Sequence, residues 1–139
     1  MHHSATALLE ILQYAIDALV DGRVRLVKRW DPRSGKKVPW HFDRDIEQLN
    51  ACCQAGALYD QEDYVAVILE CLEIAFENPL ATYKPPMNNI CSHKEAKGRE
   101  MFAFVVRHPD FSIPLYTKFC LIEQSNGTWY ISIDCHPSV

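Results

Sequence analysis

The last third of the chain, residues 101–136, places the strongest constraint on what this sequence can fold into. It contains three runs rich in aromatic and β-branched residues, MFAFVVRH, IPLYTKFCLIEQ and WYISIDCH, separated by PDFS and SNGT. Such runs favour strands, and the separators are rich in turn-forming residues. Asn126-Gly127 is the strongest short hairpin signal, because both residues tolerate positive φ. The pattern predicts an antiparallel three-stranded meander.

The register of the last hairpin decides which side chains share a face of this meander. A two-residue turn at Asn126-Gly127 would place Lys118 opposite Cys135 and leave His136 on the other face. A three-residue loop or a bulge shifts the pairing by one residue and can bring Lys118 opposite His136 on one face. The sequence leaves both registers open.

Two segments earlier in the chain have clear helical patterns. Residues 5–20 place apolar side chains at helical spacing after Ser4, a possible N-cap, and residues 41–57 are a weaker helix candidate. The clearest helix runs from about Gln61 to Glu77, with Asp60 at the cap position and Asn78-Pro79 at its end. Its apolar arc is wide, so we expect it to lie across the sheet. The predicted fold is α+β, a single domain over residues 1–139, with two to three helices packed on one face of a twisted antiparallel β-sheet.

The remaining segments give weaker signals. Residues 23–28, RVRLVK, are predicted as a short strand or extended segment, and residues 80–83 as another short strand. Residues 30–39, which contain Pro32, Gly35 and Pro39, are predicted as a loop. Residues 87–98 are polar and are also predicted as a loop before the meander.

The apolar stretch near the N-terminus does not resemble a signal peptide. Glu10 and Asp17 interrupt it, and no basic segment precedes it. No run of the sequence approaches the roughly 18 uncharged apolar residues of a membrane span. We therefore predict a cytoplasmic protein with no membrane partner.

The six cysteines form no CxxC pair, and Cys71, Cys120 and Cys135 fall inside apolar helix or strand patterns. This favours reduced, mostly buried thiols. A zinc site using Cys91, His93 and distant ligands is the weaker alternative, since paired short spacings are lacking. We predict no metal and no cofactor.

The charged residues are segregated along the chain, although the net charge is only −4. Eight of the 14 Lys and Arg residues lie in residues 23–44, and the other six lie in residues 84–118. Residues 45–83 contain eight acidic residues and no Lys or Arg. The two basic segments could converge into a phosphate-binding patch, or they could simply be solvated surface charge.

Residues suited to metal-free RNA cleavage lie on or near the predicted strands. That reaction needs a base for the 2′-hydroxyl, cations for the charged transition state and an acid for the leaving oxygen. The suitable side chains here are Arg107, His108, Tyr116, Lys118, Tyr130 and His136. Lys118 is the only charge between Asp110 and Glu123, and its alternative role is to protect an edge strand against aggregation. No Walker loop, GxGxxG, HExxH or GxSxG motif occurs in the sequence.

Three segments together resemble the motility quorum-sensing regulator (MqsR-type) mRNA interferase toxins of the RelE-like toxin class. They are LVDGRVRLVKR, YDQEDYVAVILECLEIAFENPLATY and VVRHPDFSIPLYTKFCLIEQSNGTWYISID. They cover roughly half of the chain, and residues 31–57 form an insertion relative to that pattern. The resemblance implies endoribonuclease activity that is independent of the ribosome, toxicity, and neutralisation by a protein antitoxin.

The resemblance also implies site residues. Those that match the family's pattern are Tyr83, Arg107, Tyr116 and Lys118. The family's Lys before the first Tyr is Asn78 here, and its Gln and Tyr before the Arg are Ala103 and Val106. Because that Tyr is absent, His93, His108 or His136 would have to supply its proton-transfer role.

We therefore predict a small metal-independent endoribonuclease toxin that cleaves single-stranded RNA. Lys118 and Arg107 would stabilise phosphate and transition-state charge, and His93 or His108 would transfer protons. The predicted RNA-binding residues are Arg23, Arg25, Lys94, Lys97 and Arg99.

Two alternatives remain open. One is a non-enzymatic immunity or inhibitor protein that masks a cognate basic toxin with the acidic face of Glu70, Glu73 and Glu77. The other is a structural accessory domain with no site.

Overall fold

The structure, a computed structural model, describes residues 3–24, 29–31, 34–38, 42–91 and 97–138. Its elements in chain order are α1 (Ala5–Val20), β1 (Arg29–Asp31), β2 (Lys36–Val38), α2 (Phe42–Asn50), α3 (Gln61–Glu77), α4 (Pro79–Thr82), β3 (Phe102–Val106), β4 (Leu115–Glu123) and β5 (Trp129–Pro137). Strands β3, β4 and β5 form an antiparallel sheet in that order, and β1 and β2 form a separate hairpin. The predicted α+β fold with a closing three-stranded meander is confirmed.

The two long helices begin where their capping residues predict. The Ser4 side chain accepts a hydrogen bond from the Ala7 N–H at 3.1 Å, and the Asp60 carboxylate accepts one from the Asp63 N–H at 3.0 Å. Each cap satisfies one of the N–H groups that a helix start leaves without an intrahelical partner. Glu62 and Asp63 in the first turn of α3 also complement the helix dipole.

One face of the sheet packs against α1 and α3 and forms the main core. The large, fully buried core side chains include Leu8, Leu12, Ile68, Leu72, Phe104, Phe119 and Ile131. Since side chains alternate along a strand, the residues between the core positions lie on the opposite face. We call this opposite surface the far face; it carries Ala103, Val105, Tyr116, Lys118, Cys120, Ile122, Tyr130, Ser132, Asp134 and His136.

The hairpin between β4 and β5 has a three-residue loop, Ser125 to Gly127. The Gln124 N–H donates to the Thr128 carbonyl at 2.8 Å, and the Gly127 N–H donates to the Gln124 carbonyl at 2.9 Å. Gly127 has a φ of 82°, whereas Asn126 does not adopt positive φ. Instead, the Asn126 side-chain oxygen accepts a hydrogen bond from the Thr128 N–H at 2.9 Å. This bond stabilises the three-residue loop.

This loop shifts the pairing by one residue, but not in the direction that would bring Lys118 opposite His136. Lys118 pairs with Asp134, and Tyr116 pairs with His136. All four residues nevertheless share the far face. The two-residue register, with Lys118 opposite Cys135, is therefore wrong.

Lys118 does not protect a sheet edge, because β4 is the central strand. The outer edge of β5 is occupied by other groups. The Ile131 N–H donates to the Arg23 carbonyl at 2.9 Å, and the Cys135 N–H donates to the Tyr64 hydroxyl at 2.8 Å. These contacts satisfy backbone groups that an open edge would expose.

Several local predictions need correction. Residues 79–82 form α4 rather than a strand, because Pro79 suits the first helical turn and the Tyr83 N–H donates to its carbonyl at 3.0 Å. Residues 30–39 contain the β1–β2 hairpin rather than only a loop, and α2 ends at Asn50. Of the predicted strand at 23–28, Val24 makes a parallel bridge with Ile131, and residues 25–28 lie outside the described residues.

The described cysteines are free, and four of them are buried, Cys71, Cys91, Cys120 and Cys135. The predicted burial of the helix and strand thiols is thus confirmed. The alternative zinc site with His93 falls in residues 92–96, outside the described residues. No helix in the described ranges has the length and apolarity needed to cross a membrane.

Candidate active site

Lys118 occupies the middle of the far face. Its strand neighbours are Ala103 on β3 and Asp134 on β5, and the side chain is half-buried. Within the ranges that the structure describes, Lys118 makes no ion pair or hydrogen bond. An ammonium group carries three hydrogen-bond donors, which suit an anionic ligand.

Tyr116 and His136 form a stacked pair beside Lys118. Their ring centroids lie 5.3 Å apart with an interplanar angle of 29°. The His136 Nδ1 lies 3.0 Å from the Pro137 carbonyl oxygen. Because a carbonyl only accepts hydrogen bonds, Nδ1 carries the proton, and Nε2 of the neutral ring has a lone pair. With the proton on Nδ1, the lone pair of His136 Nε2 could accept a proton from a ligand.

The Tyr116 hydroxyl is kept protonated at neutral pH. Partial burial and the negative charge of Asp134 both raise its pKa above the ordinary tyrosine value. Asp134 is itself buried, at 8% exposure. The hydroxyl can therefore donate a hydrogen bond, or a proton, to an oxygen that develops negative charge.

The spacing of these groups suits a phosphate with its attached ribose. Lys118 and His136 occupy diagonal positions on adjacent strands, and such positions are roughly 7–8 Å apart. A ligand between them can contact the ammonium and the imidazole together. We call the residues Tyr116, Lys118, Asp134 and His136 the far-face cluster.

Comparison of the chain with protein-family models, curated proteins and solved structures finds no match. Any function inferred for this chain therefore depends on the geometry of the far-face cluster alone.

The structure does not bring His108 to the far-face cluster. His108 is 2% exposed and packs edge-to-face on Phe111, with the ring centroids 5.0 Å apart. Its Nδ1 accepts the Asp110 N–H at 3.1 Å, and its Nε2 lies 3.3 Å from a Glu70 carboxylate oxygen on α3. The predicted proton transfer by His108 finds no support in this position, because the ring is buried away from the far face. It links the β3–β4 connection to α3 instead.

Glu70, His108 and Asp110 place one ligand atom each within 4.8 Å of one another, a spacing compatible with a metal ion. The orientation of the ring opposes this. A metal at His108 Nε2 would require the proton on Nδ1, but Nδ1 faces the Asp110 N–H, which is itself a donor. His108 Nε2 lies 3.3 Å from the Glu70 carboxylate oxygen but makes no hydrogen bond to any residue that the structure describes.

Tyr83 lies beyond β3 and away from Lys118. It bridges to Phe104, whose ring centroid is 5.4 Å from that of Tyr83 and whose side chain faces the helices. Partial burial and a hydrogen-bonded interaction with Glu100 raise the pKa of Tyr83 to about 12. Because it is two strands from β4, roughly 10 Å, the structure does not bring Tyr83 into the far-face cluster.

The predicted RNA-binding cations occupy different settings. Arg107, Lys97 and Arg99 are exposed. The Arg23 guanidinium donates to the Trp129 carbonyl and pairs with Asp21 at 2.9 Å, so it has a structural role. The other predicted site residues, Arg25, His93 and Lys94, lie outside the described residues.

The departures from the family pattern have distinct structural settings. Asn78 ends α3, Ala103 is buried directly beside Lys118, and Val106 is buried in the main core. Val106 therefore could not present a catalytic side chain to the far face.

Sequence reasoning offered His136 only as one of three histidines for proton transfer, after His93 and His108, and assigned no role to Asp134. It assumed that Asn126-Gly127 alone would form the turn, or that a slip would bring His136 opposite Lys118. The signal that could have found them is the Asn126 side chain, which commonly accepts a hydrogen bond from the N–H two residues on. That bond lengthens the loop and selects the observed register.

Proposed function

We propose that this chain is a small metal-independent endoribonuclease of the toxin–antitoxin type that cleaves single-stranded RNA at the far-face cluster. The observation that carries the proposal is the 3.0 Å contact of His136 Nδ1 with the Pro137 carbonyl oxygen, because a proton on Nδ1 leaves Nε2 as a base on the same face as the Lys118 side chain. The proposal keeps Lys118 and Tyr116 from the sequence prediction and replaces His93 and His108 with His136.

The reaction follows from the positions of these groups. His136 Nε2 takes the proton of the 2′-hydroxyl as the 2′-oxygen forms its bond to phosphorus. The bond from phosphorus to the 5′-oxygen then breaks, and that oxygen takes the proton of the Tyr116 hydroxyl. Lys118 stabilises the charge on the non-bridging oxygens. The proton on His136 returns through solvent to the Tyr116 oxygen, and the products carry a 2′,3′-cyclic phosphate and a 5′-hydroxyl.

Substrate binding would use the exposed cations around the cluster. Arg107 directly follows β3 and is exposed, as are Lys97 and Arg99. A single strand suits this surface, because unstacked bases can pack on exposed aromatic rings. The proposal includes a protein antitoxin as partner and the cytoplasm as compartment, where free thiols such as the six here persist.

The test is incubation of the purified protein with mixed single-stranded RNA in EDTA, followed by analysis of fragment ends. Lys118→Met removes the charge and keeps most of the side-chain volume, so we expect cleavage to fall about 100-fold or more. Lys84→Met is the matched control, because Lys84 is exposed and lies outside the cluster. Equal cleavage by the Lys118 and Lys84 variants would exclude the proposed site, and intact RNA from the folded wild-type protein would exclude the activity.

A second candidate function, an immunity or inhibitor protein, is favoured by one feature of α3. Glu70, Glu73 and Glu77 are exposed on its surface, and Glu73 and Glu77 make no ion pair with any residue that the structure describes. Such a face would complement a basic nuclease. Expression in the absence of a partner separates the two functions, because the toxin alone should arrest growth and the immunity protein should not.

A further inference from the structure

A second group of side chains with affinity for nucleobases and phosphates meets at the hairpin end of β5. The Tyr14 and Trp129 ring centroids are 6.0 Å apart with an interplanar angle of 42°, and the Arg99 guanidinium carbon lies 5.7 Å from the centre of the Trp129 ring. Arg23 donates to the Trp129 backbone carbonyl. These four residues come from α1, two connecting segments and β5, so only the fold brings them together. We call Tyr14, Arg99 and Trp129 the aromatic platform.

The platform is fixed in place by backbone contacts. The Ile131 N–H donates to the Arg23 carbonyl at 2.9 Å, and the Arg23 side chain holds the Trp129 carbonyl. Tyr14 projects from the middle of the 16-residue helix α1 and is 43% exposed. An aromatic ring that is both rigidly supported and accessible loses little conformational entropy when it binds a ligand.

Trp129 lies on the helix-facing side of β5, as Ile131 does, whereas the far-face cluster lies on the other side of the sheet. Burial and the neighbouring Cys91 raise the pKa of the Cys120 thiol to about 12, and the Arg99 guanidinium partly opposes this increase. Cys120 lies on the far face, two residues along β4 from Lys118.

Ligand binding at the aromatic platform would depend more on stacking than on net charge. Asp21 pairs with Arg23, and Glu123 lies directly opposite Trp129 in the hairpin. Two acidic groups thus balance the two guanidinium groups. A ligand held here would gain from ring and guanidinium stacking, and its affinity would depend only weakly on salt, because few counterions would be released.

We propose that the aromatic platform binds a nucleobase of single-stranded RNA whose backbone is held at the far-face cluster. This inference rests on the proposed function. His136 and Trp129 are seven residues apart on β5, about 23 Å along the strand at roughly 3.3 Å per residue, and this odd separation places their side chains on opposite faces of the sheet. An RNA strand that contacts both sites must therefore pass around the sheet, so it must be longer than this distance along β5.

The experiment measures binding rather than cleavage, so it does not depend on catalysis. The probe is 2′-O-methyl octauridylate, which lacks the attacking hydroxyl, and the readout is quenching of protein fluorescence in titrations of the wild-type protein. Trp129→Phe identifies the share of the signal that comes from the platform. Tyr14→Ser and Arg99→Lys each remove a stacking surface, and Arg99→Lys also retains the charge. Tyr59→Ser and Arg44→Lys are matched controls at exposed positions elsewhere.

We expect Tyr14→Ser and Arg99→Lys each to weaken binding about fivefold or more, while the two controls bind as the wild type does. Circular dichroism of each variant confirms that it is folded, and Tyr14→Leu provides a second variant if Tyr14→Ser is not. Binding that is equal in platform and control variants would overturn the inference, as would the absence of a Trp129 signal.

The two proposals fail in different ways. If octauridylate quenches Trp129 with the expected dependence on Tyr14 but RNA is never cleaved, the platform stands and the enzymatic proposal fails. If RNA is cleaved but the platform variants bind and cleave as the controls do, the enzymatic proposal stands and the platform fails.

Discussion

Removal of the Tyr64 hydroxyl should break the hydrogen bonds that attach the edge strand β5 to the helices. This hydroxyl donates to an Asp45 carboxylate oxygen at 2.8 Å and accepts the Cys135 N–H at 2.8 Å. Tyr64 is 4% exposed and Asp45 is 6% exposed, so water cannot replace either bond. The hydrogen bond from Cys135 to Tyr64 also bears on the far-face cluster, because Cys135 directly precedes His136 on β5.

The expected loss of folding free energy follows from these two hydrogen bonds. A buried hydrogen bond to a charged group contributes about 1.5–3 kcal/mol, and a buried N–H left without an acceptor costs about 1–3 kcal/mol. Since the two effects share one oxygen and are not additive, we expect Tyr64→Phe to lower the free energy of unfolding by about 3 kcal/mol. At roughly 3 °C per kcal/mol for a chain of this size, Tm should fall by about 9 °C.

The assay is urea unfolding followed by circular dichroism, with Tyr59→Phe as the control. Tyr59 is 84% exposed, and its loss of a hydroxyl should change the free energy of unfolding by less than about 0.5 kcal/mol. A loss below about 1 kcal/mol for Tyr64→Phe would refute the argument that this hydroxyl anchors β5. An unchanged m value would show that the effect lies in the native contacts and not in the unfolded state.

Three further perturbations test other parts of the structure. His136→Ala removes the proposed base and should lower RNA cleavage by about 10²–10⁴-fold, and added imidazole should restore part of the rate; a rate unaffected by the substitution would exclude His136. Asn126→Ala removes the acceptor of the Thr128 N–H and should cost about 1 kcal/mol in thermal unfolding, whereas Ser125→Ala should not. Because the folded-state pKa of Tyr83 is raised to about 12, its contribution to stability is present below pH 10 and is lost as the pH rises toward 12. Tyr83→Phe should therefore make the alkaline loss of stability shallower, and an unchanged slope would contradict this reasoning.

Helix boundaries were predictable because the signals that set them are local. The caps Ser4 and Asp60 and the 3.6-residue apolar period predicted α1 and α3 with the bounds that the structure has. The three strands of the meander were predictable for the same reason, since their period and separators lie within the strands themselves. Pro79 was misread, because a proline that ends one helix can also begin another.

The residues that contact each candidate functional side chain could not be predicted from such local signals. His108 follows a strand in the sequence, but the packing of α3 against the sheet buries it beside Glu70. Tyr14 and Arg99 are 85 positions apart, and only the fold places both against Trp129. Contacts of this kind depend on the docking of whole elements, which local periodicity does not encode.

The amino-acid sequence by itself determined the α+β class, the two long helices, the meander and the presence of Lys118 and Tyr116 on its second strand. Tertiary structure alone decided that β4 is central, that Asp134 and not His136 faces Lys118, and that His136 stacks on Tyr116. This division arises because strand propensity and side-chain alternation act within a single strand. Register depends on the hydrogen bonds of a three-residue loop and on contacts with α3, and a change of one residue moves every side chain to the other face.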